Sequence, residues 1–373
     1  MVVSIALSFR SSFASLWPRS SHVVDDIDIN IETVPVQVQD NNKDLTSTST
    51  STSIADGFAS CLLIMDDNHR LEEWIAYHYH VMPLRKLVVA VDPRSQTSPS
   101  PILERWSDHM DIEQWTDRDI FSPAELAKIL DDDDNEGLGV IKLHRKRQQT
   151  FNVKCMTHLR QEGAAWTLMT DVDEYAYVNP RVSDPSDPLF QRQRNSTRLS
   201  IEDPGYVLRV LRESESNNAD DDAVSCIHVP RLQFGGIEST DEEVTNAFPA
   251  TEIGQSLSSF HFDTFRWRHY GESSKNIAGS KGGVLAGKTM VNLSRIREDD
   301  VALFIGDPHR PIEKLCTPQG VWQQESDSLF LANHVLGTIE QYTARNDARI
   351  EDRIIAYESR NASQMFIVIF PSC

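Results

Sequence analysis

The chain has 373 residues, a hydrophobic content of 39% and a formal net charge of -20. This length suits one large α/β domain with an appendage, and the apolar content can fill its core. The acidic balance argues against nucleic acid as a partner, because two polyanions repel each other. It still allows a small basic pocket that binds a phosphorylated ligand.

The first 57 residues differ in character from the rest of the chain. Their apolar run at residues 2–7 is far shorter than the roughly 20 residues that a membrane span needs. Residues 24–56 are acidic and then repeat Ser and Thr, with too little hydrophobicity to offset the entropy of ordering. We therefore predict a disordered leader or stalk over residues 1–57, a folded domain over residues 58–373, and no membrane span.

The folded domain is predicted to begin with a strand, a helix and a second strand. Residues 61–65 form a continuous apolar run, which is typical of a parallel strand covered on both faces. Leu71, Trp74, Ile75 and His78 then recur at helical spacing, and residues 86–91 indicate a second buried strand. The carboxyl ends of two such strands share one edge of the sheet, where open α/β sheets bind ligands. The polar residues predicted at that edge are Asp67, Asn68 and Asp92.

Two helices and a third strand follow. Ser122 and Glu125 have the spacing of a capping box, which predicts a helix start. A longer helix is predicted from about Arg147 to Glu162, with Gly163 as its stop. Its inward residues are predicted to be Phe151, Cys155, His158 and Leu159. Residues 165–170 then form a third apolar strand.

Asp171 and Asp173, at the end of this third strand, are the candidates for a metal site. The same D-x-D spacing occurs in four other stretches of the chain, but those are polar and solvated. Alternate side chains of a strand point the same way, so both carboxylates can converge on one cation while Val172 faces the core. Mg²⁺ and Mn²⁺ prefer such oxygen ligands. The alternative is that the two aspartates merely cap the following turn.

Residues 166–175, WTLMTDVDEY, resemble the W-x-x-x-x-D-x-D-E-aromatic strand of family 2-like and family 92 glycosyltransferases. Other segments resemble that family in the same order, over about residues 61–349. They include EWIAYH at 73–78, Gln149, Cys155, Phe234-Gly235, Gly287-Lys288, His309, and Asn333-His334 followed by Gly337. Two positions depart from the family pattern, namely Asp66-Asp67-Asn68 after the first strand and Val335 after Asn-His. The resemblance implies a GT-A fold, which is an α/β, Rossmann-like nucleotide-diphospho-sugar transferase fold with a mixed, mainly parallel central sheet.

The resemblance also implies an activity and its site residues. A Mn²⁺- or Mg²⁺-dependent, inverting enzyme would move a sugar from a nucleotide-diphosphate donor to a hydroxyl of a glycan or glycoconjugate. The metal would be held by Asp171, Asp173 and His334. The donor would contact Asp67, Asn68, Asp92, Lys288 and Asp171, and an arginine of residues 266–268 is a further phosphate candidate. The resemblance to inverting families also implies a carboxylate base that deprotonates the acceptor hydroxyl, and the candidates left open are Glu238, Asp241, Glu242 and Asp263.

The cysteines and the N-glycosylation sequons give information about the cellular compartment of the protein. Five cysteines without a C-x-x-C pair argue against a zinc site, and we interpret Cys61 and Cys155 as small buried hydrophobic residues. The resemblance implies the Golgi or another secretory-pathway lumen. Three N-x-S/T sequons, at Asn195, Asn292 and Asn361, give weak support.

Two other functions remain open. A phosphohydrolase of the haloacid dehalogenase type uses D-x-D followed by x and Thr or Val, but Tyr175 stands at that position, and the motif usually follows the first strand. A nucleotide-sugar- or glycan-binding protein that kept the fold and lost catalysis is the second alternative. Hydrolysis of a nucleotide sugar with added Mn²⁺ would distinguish an enzyme from a binding protein.

Overall fold

The computed structural model of the chain describes residues 57–132, 138–179, 205–217, 225–238, 267–269, 287–312, 328–343 and 354–355. The predicted leader therefore lies outside the described residues, apart from Gly57. In chain order the strands are β1 (Phe58–Ile64), β2 (Leu84–Val91), β3 (Asp111–Trp115), β4 (Trp166–Met169), β5 (Glu174–Val178), β6 (Cys226–Val229), β7 (Arg231–Glu238), β8 (Trp267–His269), β9 (Lys288–Asn292), β10 (Phe304–Asp307), β11 (Arg310–Ile312) and β12 (Phe330–Val335). The helices are α1 (Asn68–Val81), α2 (Ser100–Trp106), α3 (Asp117–Ile120), α4 (Pro123–Asp132), α5 (Leu138–Gln161), α6 (Tyr206–Asn217) and α7 (Ile339–Thr343).

A mixed, mostly parallel six-stranded sheet forms the centre of this α/β fold. Its order is β3-β2-β1-β4-β9-β6. The first four of these strands run parallel, and β9 is antiparallel to both of its neighbours. After β1 the chain moves to one side of that strand to form β2, whereas β4 lies on its other side. The carboxyl ends of β1 and β4 therefore flank a topological switch point, where ligand crevices form in such sheets.

The two faces of this sheet pack against different layers, as strand alternation requires. Leu62 and Ile64 of β1 face a core that includes Trp74 of α1. Ala59 and Cys61 face a second core, which includes Phe151 of α5. A four-stranded sheet of order β5-β12-β7-β8 adds residues of β5 and β12 to the first core, and β10 and β11 form a separate two-stranded sheet.

The helix predictions are largely confirmed. The four apolar or aromatic residues predicted for α1 are all buried. Ser122 and Glu125 form the predicted capping box, with the Ser122 N–H donating to Glu125 Oε2 at 2.9 Å and the Glu125 N–H donating to Ser122 Oγ at 3.3 Å. Gly163 ends α5 with φ of +84°. The prediction was wrong at the other end, because α5 begins at Leu138 instead of Arg147.

One predicted core residue of α5 does not face the core. His158 is half-buried, because its Nε2 lies 2.9 Å from Glu113 Oε1 at the edge of the sheet. The other three predicted inward residues of α5 are fully buried.

Cys61 and Cys155 are buried as predicted, but they are joined in a disulfide bond with a Cα–Cα distance of 6.1 Å. The bond attaches α5 covalently to β1. Our interpretation of two separate hydrophobic residues was therefore wrong. The sequence did not reveal the bond because its partners come from a strand and a helix 94 residues apart. Cys226 is disulfide-bonded as well.

Within the described ranges, no helix is both long enough and apolar enough to cross a membrane.

Candidate metal and ligand site

A cavity of about 560 Å³ lies at the topological switch point. The end of β1 and the turn after β4 line it, together with residues of α5, β7, β9, β12 and the β10–β11 turn. Its charged lining residues are the acids Asp67, Asp171, Asp173 and Asp307 and the bases Arg145, Arg231 and Lys288, with three histidines at positions 144, 309 and 334. Carboxylates and cations therefore share one cavity, as the site of a metal and an anionic ligand requires.

Asp173 and His334 form the part of the site best suited to a metal. His334 Nε2 lies 3.6 Å from Asp173 Oδ2, and both side chains are largely buried. Their backbones are fixed relative to each other, because the Val335 N–H donates to the Asp173 carbonyl at 2.8 Å. Adjacent ligands of an octahedral Mg²⁺ at about 2.1 Å are roughly 3 Å apart. A small shift would let this carboxylate and imidazole bind one divalent cation, so the donor set fits the implied metal.

Asp171 has a different partner in this structure. Its Oδ2 lies 2.7 Å from Lys288 Nζ, and the side chain of Lys288 is 1% exposed while that of Asp171 is 41% exposed. Burial raises the pKa of Asp171, but the Lys288 ammonium outweighs burial and holds the pKa below its usual value. In the described part of the chain, the possible ligand atoms near this cavity that lie within 4.8 Å of one another belong to Asp173, Glu174 and His334, and a second such group, Glu113, His158 and Glu162, lies outside the cavity. The structure thus brings all three predicted metal ligands to one cavity but directs Asp171 towards Lys288.

Glu174 is a site residue to which the sequence analysis gave no role. It is fully buried, its Oε2 accepts a hydrogen bond from the Asp171 N–H at 2.9 Å, and its Oε1 accepts one from Arg231 at 2.9 Å. Lys288 Nζ is 3.4 Å from the same Oε2. These contacts fix the turn that carries Asp171 and Asp173. The sequence signal that could have identified Glu174 is the acidic residue that directly follows D-x-D in the family pattern.

Asp92, a predicted nucleotide contact, is engaged by three basic residues. Its carboxylate accepts hydrogen bonds from Arg94 at 2.9–3.0 Å and from Arg147 at 3.2 Å, and His144 Nδ1 is 3.4 Å away. Burial raises the pKa of Asp92, but these three partners hold it far below its usual range. The side chain does not line the cavity. It joins the end of β2 to α5 through its ion pair with Arg147. The contact between Asp92 and the nucleotide stays a prediction.

Of the other two residues predicted to contact the nucleotide-sugar donor, one lines the cavity and one does not. Asp67 lines the cavity and accepts a hydrogen bond from the Met65 N–H at 3.2 Å. Asn68 begins α1 and donates to the Ser98 carbonyl at 2.9 Å, outside the cavity lining.

Among the residues predicted as candidates for the catalytic base, Glu238 is exposed at the end of β7. The candidates Asp241, Glu242 and Asp263 lie outside the described residues, so the base stays a prediction.

Comparison of the chain with protein-family models gives no match, and comparison with curated proteins gives none either.

Proposed function

We propose that this protein is a metal-dependent glycosyltransferase that moves a sugar from a nucleotide-diphosphate donor to an acceptor hydroxyl of a glycan or glycoconjugate. The observation that carries the proposal is the 3.6 Å approach of Asp173 Oδ2 and His334 Nε2. These atoms come from segments far apart in the sequence and meet at the switch-point cavity. The resemblance at residues 166–175 supports the same activity.

The chemistry of the cavity matches the needs of this reaction. Cleavage of the bond between a sugar and a diphosphate builds negative charge on the leaving group, and a bound divalent cation stabilises that charge. Arg145, Arg231 and Lys288 supply fixed positive charge in the same cavity. Its volume of about 560 Å³ is within the range of roughly 300–1,000 Å³ that is typical of small-molecule sites.

The strand order of the central sheet supports the proposal at the level of fold class. The order β3-β2-β1-β4, with β9 antiparallel beside β4, is compatible with a Rossmann-like arrangement. We include the GT-A fold in the proposal on the strength of this order and the family resemblance. The predicted inverting outcome remains part of the proposal as well.

A location in the Golgi or another oxidising lumen of the secretory pathway completes the proposal. Disulfide bonds persist mainly in such compartments, and the Cys61–Cys155 bond supports this location. Asn292 is buried, with Oδ1 accepting hydrogen bonds from the N–H and hydroxyl of Ser294, so it is a poor glycan carrier. Glycosidase-sensitive mass after expression in a eukaryotic host would support the location, and an unglycosylated cytosolic product would contradict it.

The direct test is turnover of nucleotide sugars. The purified protein, incubated with a panel of donors and Mn²⁺, should release nucleoside diphosphate slowly, and Asp173→Asn should abolish the release. Asp108→Asn is the control, because Asp108 is an exposed aspartate outside the cavity. Mn²⁺-dependent binding without release would indicate a binding protein. Release of phosphate from phosphomonoesters instead would indicate a phosphohydrolase.

A further inference from the structure

A buried arginine connects α1 with both segments that carry the candidate metal ligands. Arg70 lies in the first turn of α1 and is 3% exposed. Its Nη1 donates to the Val335 carbonyl at 2.9 Å, and its Nη2 donates to the Leu336 carbonyl at 3.1 Å. The same Nη1 lies 3.8 Å from Asp173 Oδ2. One guanidinium group therefore contacts the backbone that directly follows His334 and also the carboxylate that His334 faces.

These contacts have two physical consequences. Val335 is the last residue of β12, and buried carbonyls at a strand end need donors from elsewhere. Arg70 supplies two such donors in a fixed planar geometry that a lysine ammonium cannot reproduce. Its positive charge also reduces the repulsion that would otherwise build up between Asp173 and the neighbouring carboxylates.

Gly337 leaves the space that this arginine occupies. Its φ is +80°, and a Cβ at this position would lie 2.6 Å from Arg70 Nη2 and would also overlap Gln341. A side chain at position 337 is therefore disfavoured both by the backbone conformation and by the guanidinium. Gly337 is part of the family-like pattern after Asn333-His334, and its contact with Arg70 gives that position a structural reason.

We infer that Arg70 is a positioning residue of the metal site. It holds the backbone after His334 while it faces Asp173, and so it sets the separation of the two candidate ligand atoms. Without the guanidinium, the end of β12 would keep its backbone hydrogen bonds to the Asp173 and Phe234 carbonyls. Two buried carbonyls would lose their donors and Asp173 would lose a nearby cation, so the imidazole and the carboxylate would be held less firmly at one distance. The inference rests on the proposed metal site, and it assigns to Arg70 a role in metal affinity rather than direct metal contact.

The test is Mn²⁺ affinity, measured without nucleotide by the electron paramagnetic resonance signal of free Mn²⁺. We expect Arg70→Met to weaken Mn²⁺ binding by roughly 10- to 100-fold, as is typical when a residue that orients a metal ligand is removed. Arg70→Lys keeps the charge but not the paired donors, so its affinity should fall between those of Arg70→Met and wild type. If Arg70→Met does not fold, the Mn²⁺ affinity of Arg70→Lys alone tests the inference.

The matched control is Asn179→Ala. Asn179 is buried and donates to the Ser328 carbonyl at 2.7 Å, near the opposite end of the β5–β12 pair. This variant should lose stability but keep the wild-type Mn²⁺ affinity. The inference would be overturned by unchanged Mn²⁺ affinity in the folded Arg70 variants, or by equal weakening in Asn179→Ala. Failure of both Arg70 variants to fold would also overturn it, because the fold as a whole would then need the guanidinium.

The result for wild-type protein separates this inference from the proposed function. If wild type does not bind Mn²⁺, the metal site itself is wrong and the proposed function fails. If wild type binds Mn²⁺ and the Arg70 variants bind it equally well, only the role of Arg70 is wrong.

Discussion

Lys288 and Asp171 form an ion pair of 2.7 Å in which the ammonium is almost completely buried and the carboxylate is partly exposed. Lys288 begins β9, and Asp171 follows β4, so the pair joins the ends of two antiparallel neighbours. A buried ammonium needs a nearby anion, because its desolvation is costly. Asp171 therefore stabilises Lys288 in the fold as well as being a candidate metal ligand.

Replacing Asp171 should test this structural role in the absence of metal. Asp171→Asn should lower the free energy of unfolding by about 1–3 kcal/mol, because Lys288 would keep Glu174, at 3.4 Å, as its remaining close carboxylate. Urea unfolding measures this change. The double variant Asp171→Asn/Lys288→Met should cost less than the sum of the two single variants. Strict additivity would contradict a coupling between the two side chains.

His334→Ala should weaken Mn²⁺ binding by at least about 10-fold, because an imidazole ligand would be lost. A high Mn²⁺ concentration should partly restore metal-dependent nucleotide binding, which calorimetry can measure. His109→Ala is the control, because His109 is an exposed histidine outside the cavity and outside both groups of possible metal ligands. A His334→Ala defect that is equal at all Mn²⁺ concentrations would indicate a packing role instead.

His78 should make the fold sensitive to acid. Burial lowers the pKa of His78 to about 3. The neutral ring donates from Nδ1 to the Trp74 carbonyl at 2.9 Å and accepts the Ala176 N–H at Nε2 at 3.2 Å. The unfolded chain titrates near pH 6.5, so it binds a proton more readily than the folded protein does. The stability that His78 contributes is complete above about pH 6.5 and is lost as the pH falls towards 3.

The measurable consequence is the slope of stability against pH. Each pH unit below about 6.5 should cost about 1.4 kcal/mol from this group. His78→Gln removes the titrating group, so its stability should depend less steeply on pH between about 6 and 4.5, even if it is lower near neutrality. His80 and His228, whose pKa values burial also lowers to about 4, remain in both proteins. Equal slopes for wild type and variant, measured by urea unfolding, would contradict the prediction.

The Cys61–Cys155 bond should contribute strongly to stability. It closes a segment with a sequence separation of 94, and bonds of this kind typically stabilise a fold by about 2–4 kcal/mol. Cys61→Ala/Cys155→Ala should unfold at a correspondingly lower urea concentration than the oxidised protein. A reductant should destabilise wild type more than this variant, in which the Cys226 bond remains. Equal effects of reductant on both proteins would contradict the prediction.

The central strands and helices could be predicted because their signals are local. Residues 61–65 and 86–91 are continuous apolar runs, and the buried face of α1 has helical spacing. The start of α5 was missed because it follows an acidic stretch of sequence and contains Gly139 near its beginning. The pairing of β12 with β5 and β7 was not predicted, because it joins segments far apart in the chain and no local pattern encodes register across such distances.

The site was predictable in part for the same reason. Asp171 and Asp173 were predicted at the end of a recognisable strand and lie in the turn that follows it, whereas His334 was proposed from the family resemblance, and the structure places all three at one cavity. Arg70 and Glu174 are different, because a buried, paired charge has the same sequence signature as a solvated one. Their roles follow from hydrogen bonds to distant backbone and side-chain groups, which exist after the fold has formed.

The most direct test of the central claim is a thermal-shift screen of nucleoside diphosphates with and without Mn²⁺. A ligand that binds the folded state at about 100 times its Kd stabilises it by about 2.7 kcal/mol. We predict that at least one nucleoside diphosphate raises the Tm by several degrees when Mn²⁺ is present, and that Asp173→Asn abolishes this shift. If no nucleoside diphosphate gives a Mn²⁺-dependent shift in wild type, or if Asp173→Asn keeps the shift, the proposed metal-dependent donor site is contradicted.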